Sequence, residues 1–182
     1  MGQLKQPLPV KFLAAVTYKN DTLLKETKKE LEFRYGMIDV ESPPFAFSHT
    51  QYYEKEMGPD LMKQLFSFER LEKREHLIEF KLFSLQLEKK FSKGDRRQVN
   101  IDPGYLELSK LVVSSTKNFD HRIYLGQGVY GDVQLRYRKG QFVTNEWTYP
   151  DYGSQIVLDF LLQIRKIYSD RLKQLSDVRS HL

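Results

Sequence analysis

No cysteine occurs anywhere in the 182 residues. That removes disulfides, thiolate metal sites and cysteine nucleophiles together. No apolar run approaches the 18 residues of a membrane helix, and the start, MGQLKQPLPVKF, lacks the apolar core of a signal peptide. The expected location is therefore the cytoplasm, with no membrane partner. No G-x-x-x-x-G-K-[ST] phosphate loop and no G-x-S-x-G nucleophile elbow is present. The four histidines, His49, His76, His121 and His181, show neither H-x-H nor H-E-x-x-H spacing, so no metal site is expected. No cofactor can be named.

What is present is a globular composition, with 40% hydrophobic and 13% aromatic residues. A chain of this length suits one domain and can bury roughly 70% of its unfolded surface. The net charge of +5 is modest but partly local. Lys89, Lys90, Lys93, Arg96 and Arg97 cluster, and Arg136, Arg138 and Lys139 close a strand, patterns that suit a phosphate-bearing partner or simply a solvated surface.

Val10 to Tyr18 reads as a buried strand, and Asn20 or Asp21 as the cap of a helix whose Leu24, Thr27, Leu31 and Tyr35 share one face before Gly36. Met37 to Val40 and Leu61 to Glu69 read as strands. Glu72 to Phe91 reads as a second helix with Leu71, Ile78, Leu82, Leu85 and Phe91 in its buried stripe. Val99 to Ile101 and Leu106 to Thr116 are expected as strands separated by a turn at Asp102-Pro103-Gly104. His121 to Leu125 and Val129 to Tyr137 are expected as a hairpin. The last helix starts near Ser154, its stripe formed by Val157, Leu161, Ile164, Tyr168, Leu172 and Leu175. The expected fold is a single α+β domain over residues 1–182. It has a mainly antiparallel sheet, a ferredoxin-like β-α-β-β-α-β start, an added β-hairpin and a C-terminal helix.

Gly126, Gly128 and Gly131 match G-x-G-x-x-G, but a dinucleotide fingerprint needs a helix after the glycines, and here the alternation of Val133, Leu135 and Tyr137 continues a strand. A hairpin turn explains the first two glycines better. Residues 100–139 also gather the polar groups from which a site could be built. Asp102 and His121 are the candidate acid/base pair, with Lys117 and Arg122 as anion donors. Strand alternation places Arg122 with Tyr124 on the wetter face, opposite His121, Ile123 and Leu125. Tyr52, Tyr53, Tyr130 and Tyr149 are the candidate ligand-binding walls. The leading expectation is a domain that binds a small phosphorylated or nucleotide-like molecule; whether it is an enzyme stays open. One alternative is an RNA-binding module, although nucleic acid is disfavoured because no RNP1-like pattern occurs. Another is an interaction protein without a small-molecule site, using Ile156, Leu158, Phe160 and Leu162 on the last helix.

Three stretches, ESPPFAFSHTQYYEKEMG, NIDPGYLELSKLVVSSTKNFDHRIYLGQGVYGDVQLRYRKG and WTYPDY, together resemble the DUF4416 family of bacterial proteins. The resemblance spans nearly the whole chain. It implies no catalytic residues, and the GTP-binding label sometimes attached to members finds no phosphate loop here to support it.

Overall fold

The computed structural model describes residue 3 and residues 6–47 and 54–180. The elements run β1 (Val10–Tyr18), α1 (Asp21–Tyr35), β2 (Ile38–Glu41), β3 (Phe45–Ala46), α2 (Glu54–Met57), β4 (Met62–Glu72), α3 (Leu77–Lys90), β5 (Val99–Leu106), β6 (Lys110–Ser115), β7 (Arg122–Gly126), β8 (Val129–Arg138), β9 (Gln141–Thr144) and α4 (Gln155–Ser180). Among the described residues these nine strands form one sheet of order β2-β4-β1-β5-β6-β8-β7. β3 pairs with β4 and β9 with β8, and every pairing is antiparallel.

Helices cover both faces. Phe12, Ala14 and Val16 of β1 pack with Leu31 and Tyr35 of α1 and Phe80 and Leu87 of α3. Leu13 and Ala15 face the other way, onto Val157, Phe160, Leu161 and Ile164 of α4. A strand buried on both faces needs no polar alternation, which is why Val10–Tyr18 reads as an uninterrupted apolar run. The first helix starts where expected: the Asn20 side chain accepts hydrogen bonds from the Thr22 and Leu23 amides, and Gly36, at φ 95°, ends it. The β7–β8 hairpin turns at Gly126-Gln127-Gly128, all three with positive φ.

Three expectations are corrected. Asp102-Pro103-Gly104 is not a turn but the middle of β5, paired with β1 along its whole length. Its pairing with β6 covers only Gly104 to Leu106, so the two strands part at Pro103. In an antiparallel strand a residue's N–H and C=O point the same way. The Pro103 carbonyl accepts the Ser114 hydroxyl at 2.8 Å, so the missing proline N–H lies on the side where the ladder has already ended. Gly104 is required by close approach, because a Cβ there would lie 2.5 Å from the Val112 carbonyl oxygen.

The second helix is shorter than expected. β4 runs on to Glu72, a 3-10 turn takes Arg74–His76, and α3 buries Leu77, Phe80, Lys81, Ser84, Leu87 and Glu88 in place of the expected stripe. The last helix buries Phe160 in the core, whereas Leu175 is exposed, so Phe160 does not belong to an outer apolar surface. No helix among the described residues is long and apolar enough to cross a membrane.

Candidate functional site

Where β5 and β6 separate, a cleft of about 190 Å3 opens, with α3 on one side and the end of β6 on the other. Its α3 side is built from Lys81 and Glu88, seven residues apart and therefore on one helix face. Both are buried, and both close a gap in the sheet. The Ile101 backbone would have paired with β6 had the ladder continued. Instead its amide donates to Glu88 Oε1 at 2.8 Å, and its carbonyl accepts from Lys81 Nζ at 3.1 Å. Two charged side chains thus stand in for a missing strand, which satisfies buried backbone groups that could not be left bare.

Around this pair the charges interlock. Lys81 Nζ lies 3.5 Å from Asp102 Oδ1, and Asp102 Oδ2 accepts from Asn100 Nδ2 at 2.7 Å. The Arg97 Nη1 lies 3.1 Å from Asn100 Oδ1 and 3.4 Å from Glu88 Oε2, while its Nε donates to Glu56 of α2 at 2.7 Å. Burial holds the Glu88 carboxyl above its ordinary 4.5, with Lys81 and the Ile101 amide acting against that rise. A second depression of about 410 Å3 adjoins the cleft and shares Leu85, Glu88 and Arg97 with it.

The other wall carries Ser114, Ser115, Thr116 and Lys117, and Tyr149 from the segment before the Pro150–Gly153 3-10 turn. That segment is pinned twice. The Tyr149 amide donates to Gln134 Oε1 at 2.9 Å, and Asp151 forms a buried pair with Lys63 of β4, whose ammonium lies 5.0 Å from the Phe47 and Tyr152 rings.

Behind the wall lies Arg122, and here the sequence reading is corrected. Its side chain is 1% exposed, not on a wetter face. Nε donates to Asp132 Oδ2 at 2.8 Å, Nη1 to Ser115 Oγ at 2.7 Å and to the Lys117 carbonyl at 3.0 Å, and Nη2 to Tyr149 Oη at 2.6 Å. Four of its five donors are committed inside the protein, so Arg122 is no ligand donor. The consequence falls on the hydroxyls. Ser115 Oγ also accepts from the Lys117 amide, and Tyr149 Oη accepts from Arg122, so these bonds leave both hydroxyl hydrogens unused, and both residues line the cleft.

The expected acid/base pair does not form. Asp102, Lys117 and Tyr149 line the cleft, but His121 does not. The carboxylates near His121 are Asp120, 3.1 Å from Nδ1, and Asp132, 3.4 Å from Nε2; Asp102 is held by Lys81 and Asn100. The ring of His121 is stacked between Phe119 and Trp147, with centroids 5.9 and 5.2 Å away. Tyr130 packs on Tyr124 across the hairpin and is not part of the lining. Tyr52 and Tyr53 lie outside the described residues.

Lys81, Glu88, Asn100 and Ser115 are not among the residues singled out from the sequence, and Arg97 enters there only as part of a basic cluster. A signal existed for the first two: they fall among Leu77, Phe80, Ser84 and Leu87 on one helix face, and charged residues inside an apolar stripe need partners. No group of three or more potential metal-ligating side chains occurs among the described residues.

The sequence model of a family described as a domain of unknown function, DUF4416, matches residues 8–168. No curated protein and no solved structure matches the chain.

Proposed function

This chain belongs to the DUF4416 family, which supplies no activity to carry over, and we propose from the cleft's own chemistry that it binds a small phosphorylated molecule there. The observation that carries this reading is that Arg122 donates to two hydroxyls of the lining and leaves their hydrogens for another acceptor. These two residues, Ser115 and Tyr149, share the lining with Lys81, Arg97 and Lys117. The two carboxylates of the lining, Glu88 and Asp102, already face donors with both oxygens. An oxygen-rich anion matches what remains.

Size narrows the class. At about 190 Å3 the cleft is smaller than the ~300–1,000 Å3 of sites that enclose a drug-sized ligand, so it takes a phosphate group and a few attached atoms. A nucleotide would enter by its phosphate alone.

A thermal-shift screen of sugar phosphates, nucleotides and their unphosphorylated counterparts tests the reading. A ligand at a hundred times its Kd stabilises the fold by about 2.7 kcal/mol. Phosphorylated compounds are expected to give the largest shifts. Ser115→Ala and Tyr149→Phe should each weaken binding by roughly 2- to 13-fold, the worth of one hydrogen bond of about 0.5–1.5 kcal/mol. If unphosphorylated compounds shift the protein as much, or if neither variant weakens binding, the reading fails.

A further inference from the structure

We propose that the cleft takes up one proton together with its oxyanion, and that Glu88 Oε2 is the atom that receives it. This rests on the anion-binding reading of the cleft and adds how its charge is balanced.

Two carboxylates already share the cleft with its cations, so an entering anion becomes a third negative charge facing the same donors. The groups around Glu88 are Lys81 on its own helix, the Ile101 amide and Asp102 from β5, Arg97 with Glu56 of α2 behind it, Lys117 past the end of β6, and Lys89 and Asp95 in the adjoining depression. Asp102 is 23% exposed and can be hydrated, whereas Glu88 is 4% exposed and cannot. Neutralising Glu88 is therefore the cheaper way to accommodate the newcomer.

The geometry of its two oxygens supports this. Oε1 accepts the Ile101 amide at 2.8 Å and continues to do so when the group is a carboxylic acid. Among the described residues Oε2 faces only Arg97 Nη1, at 3.4 Å, well beyond the roughly 2.7–2.9 Å of a strong charge-assisted bond. Arg97 is held more closely by Glu56 and Asn100. A proton from solvent on Oε2 turns it from a competing acceptor into a donor. Burial already holds this carboxyl above the ordinary glutamate range before any ligand arrives.

Sulfate is the probe, because it stays a dianion across about pH 5 to 8, so any pH dependence in that window belongs to the protein. While Glu88 is ionised in the free protein, the Kd for sulfate should fall about tenfold for each unit drop in pH, as uptake of one proton requires. Calorimetry in buffers of different ionisation enthalpy should register about one proton taken up per sulfate bound. Glu88→Gln keeps an acceptor for the Ile101 amide, and it should bind sulfate tightly with no pH slope. A flat profile and no proton uptake in the unaltered chain overturn the proposal, as does a slope that persists in Glu88→Gln. Should Glu88→Gln not fold, the proton count on the unaltered chain still decides. If neither chain binds sulfate at any pH while phosphate esters also fail, the anion reading itself falls; if sulfate binds without the proton, only the coupling does.

Discussion

Replacing Arg122 with leucine removes one half of a pair whose side chains are 1% and 2% exposed. Asp132 is then left buried with His121 Nε2 3.4 Å from its Oδ2, and among the described residues its Oδ1 has no hydrogen-bond partner to begin with. Ser115 Oγ, the Lys117 carbonyl and Tyr149 Oη lose their guanidinium donor at the same time. Removing one partner of a buried pair costs about 3–5 kcal/mol, chiefly because the other charge is stranded. That is a large share of the 5–15 kcal/mol that holds a typical domain together. With a urea slope of about 2 kcal/mol per molar, the unfolding midpoint should fall by about 1.5–2.5 M. Arg122→Leu combined with Asp132→Leu should recover much of the loss, because the stranded charge is then gone. A midpoint within 0.5 M of the unaltered chain for Arg122→Leu, or a double variant no better than the single one, would refute the assignment of Arg122 to the frame of the protein.

Gly104→Ala should destabilise by about 1–3 kcal/mol or more, because the added methyl meets the Val112 carbonyl at 2.5 Å, and backbone on both sides leaves no flexible group to yield; a urea midpoint equal to that of the unaltered chain would contradict the close approach. Glu88 also predicts a pH dependence of stability in the unliganded protein. Its folded pKa is raised above 4.5, so its favourable contribution is complete below about that pH and is lost as pH rises through the raised folded value. Thermal stability of Glu88→Gln relative to the unaltered chain should therefore be greatest near neutrality and shrink as pH falls towards 4.5, and a difference that stays constant across that window would contradict it.

The elements legible from sequence are those whose local chemistry and tertiary setting agree. β1 is apolar throughout and buried on both faces. α1 has a capping asparagine before it and a positive-φ glycine after it, and the β7–β8 turn has two glycines where the chain reverses. Asp102-Pro103-Gly104 shows the opposite case. Proline and glycine together signal a turn, but each is tolerated in a central strand here for a reason visible only in three dimensions: β6 departs at the proline, and Val112 crowds the glycine. The buried face of α3 is not legible from apolar positions, because three of its six buried residues, Lys81, Ser84 and Glu88, are polar.

These departures from local rules coincide with the cleft, and one cause links them. A proline where two strands part leaves the backbone of Ile101 unpaired. That requires a donor and an acceptor from α3, and the two side chains that supply them are the charged floor of the site. The same logic applies across the cleft, where alternation along β7 cannot distinguish a solvent-facing arginine from one enclosed by Asp132, Ser115 and Tyr149. Of the residues singled out from the sequence, Asp102, Lys117 and Tyr149 line the cleft, Asp102 from the middle of β5 where a turn was expected. Sequence spacing could not show that Arg122 lies behind the wall and donates to two of its hydroxyls. Lysine at position 122 would separate these roles: it keeps a positive charge for Asp132 but cannot span Asp132, Ser115 and Tyr149 with one planar fork. If Arg122 works through the hydroxyls, Arg122→Lys retains much more stability than Arg122→Leu yet still weakens sulfate binding several-fold.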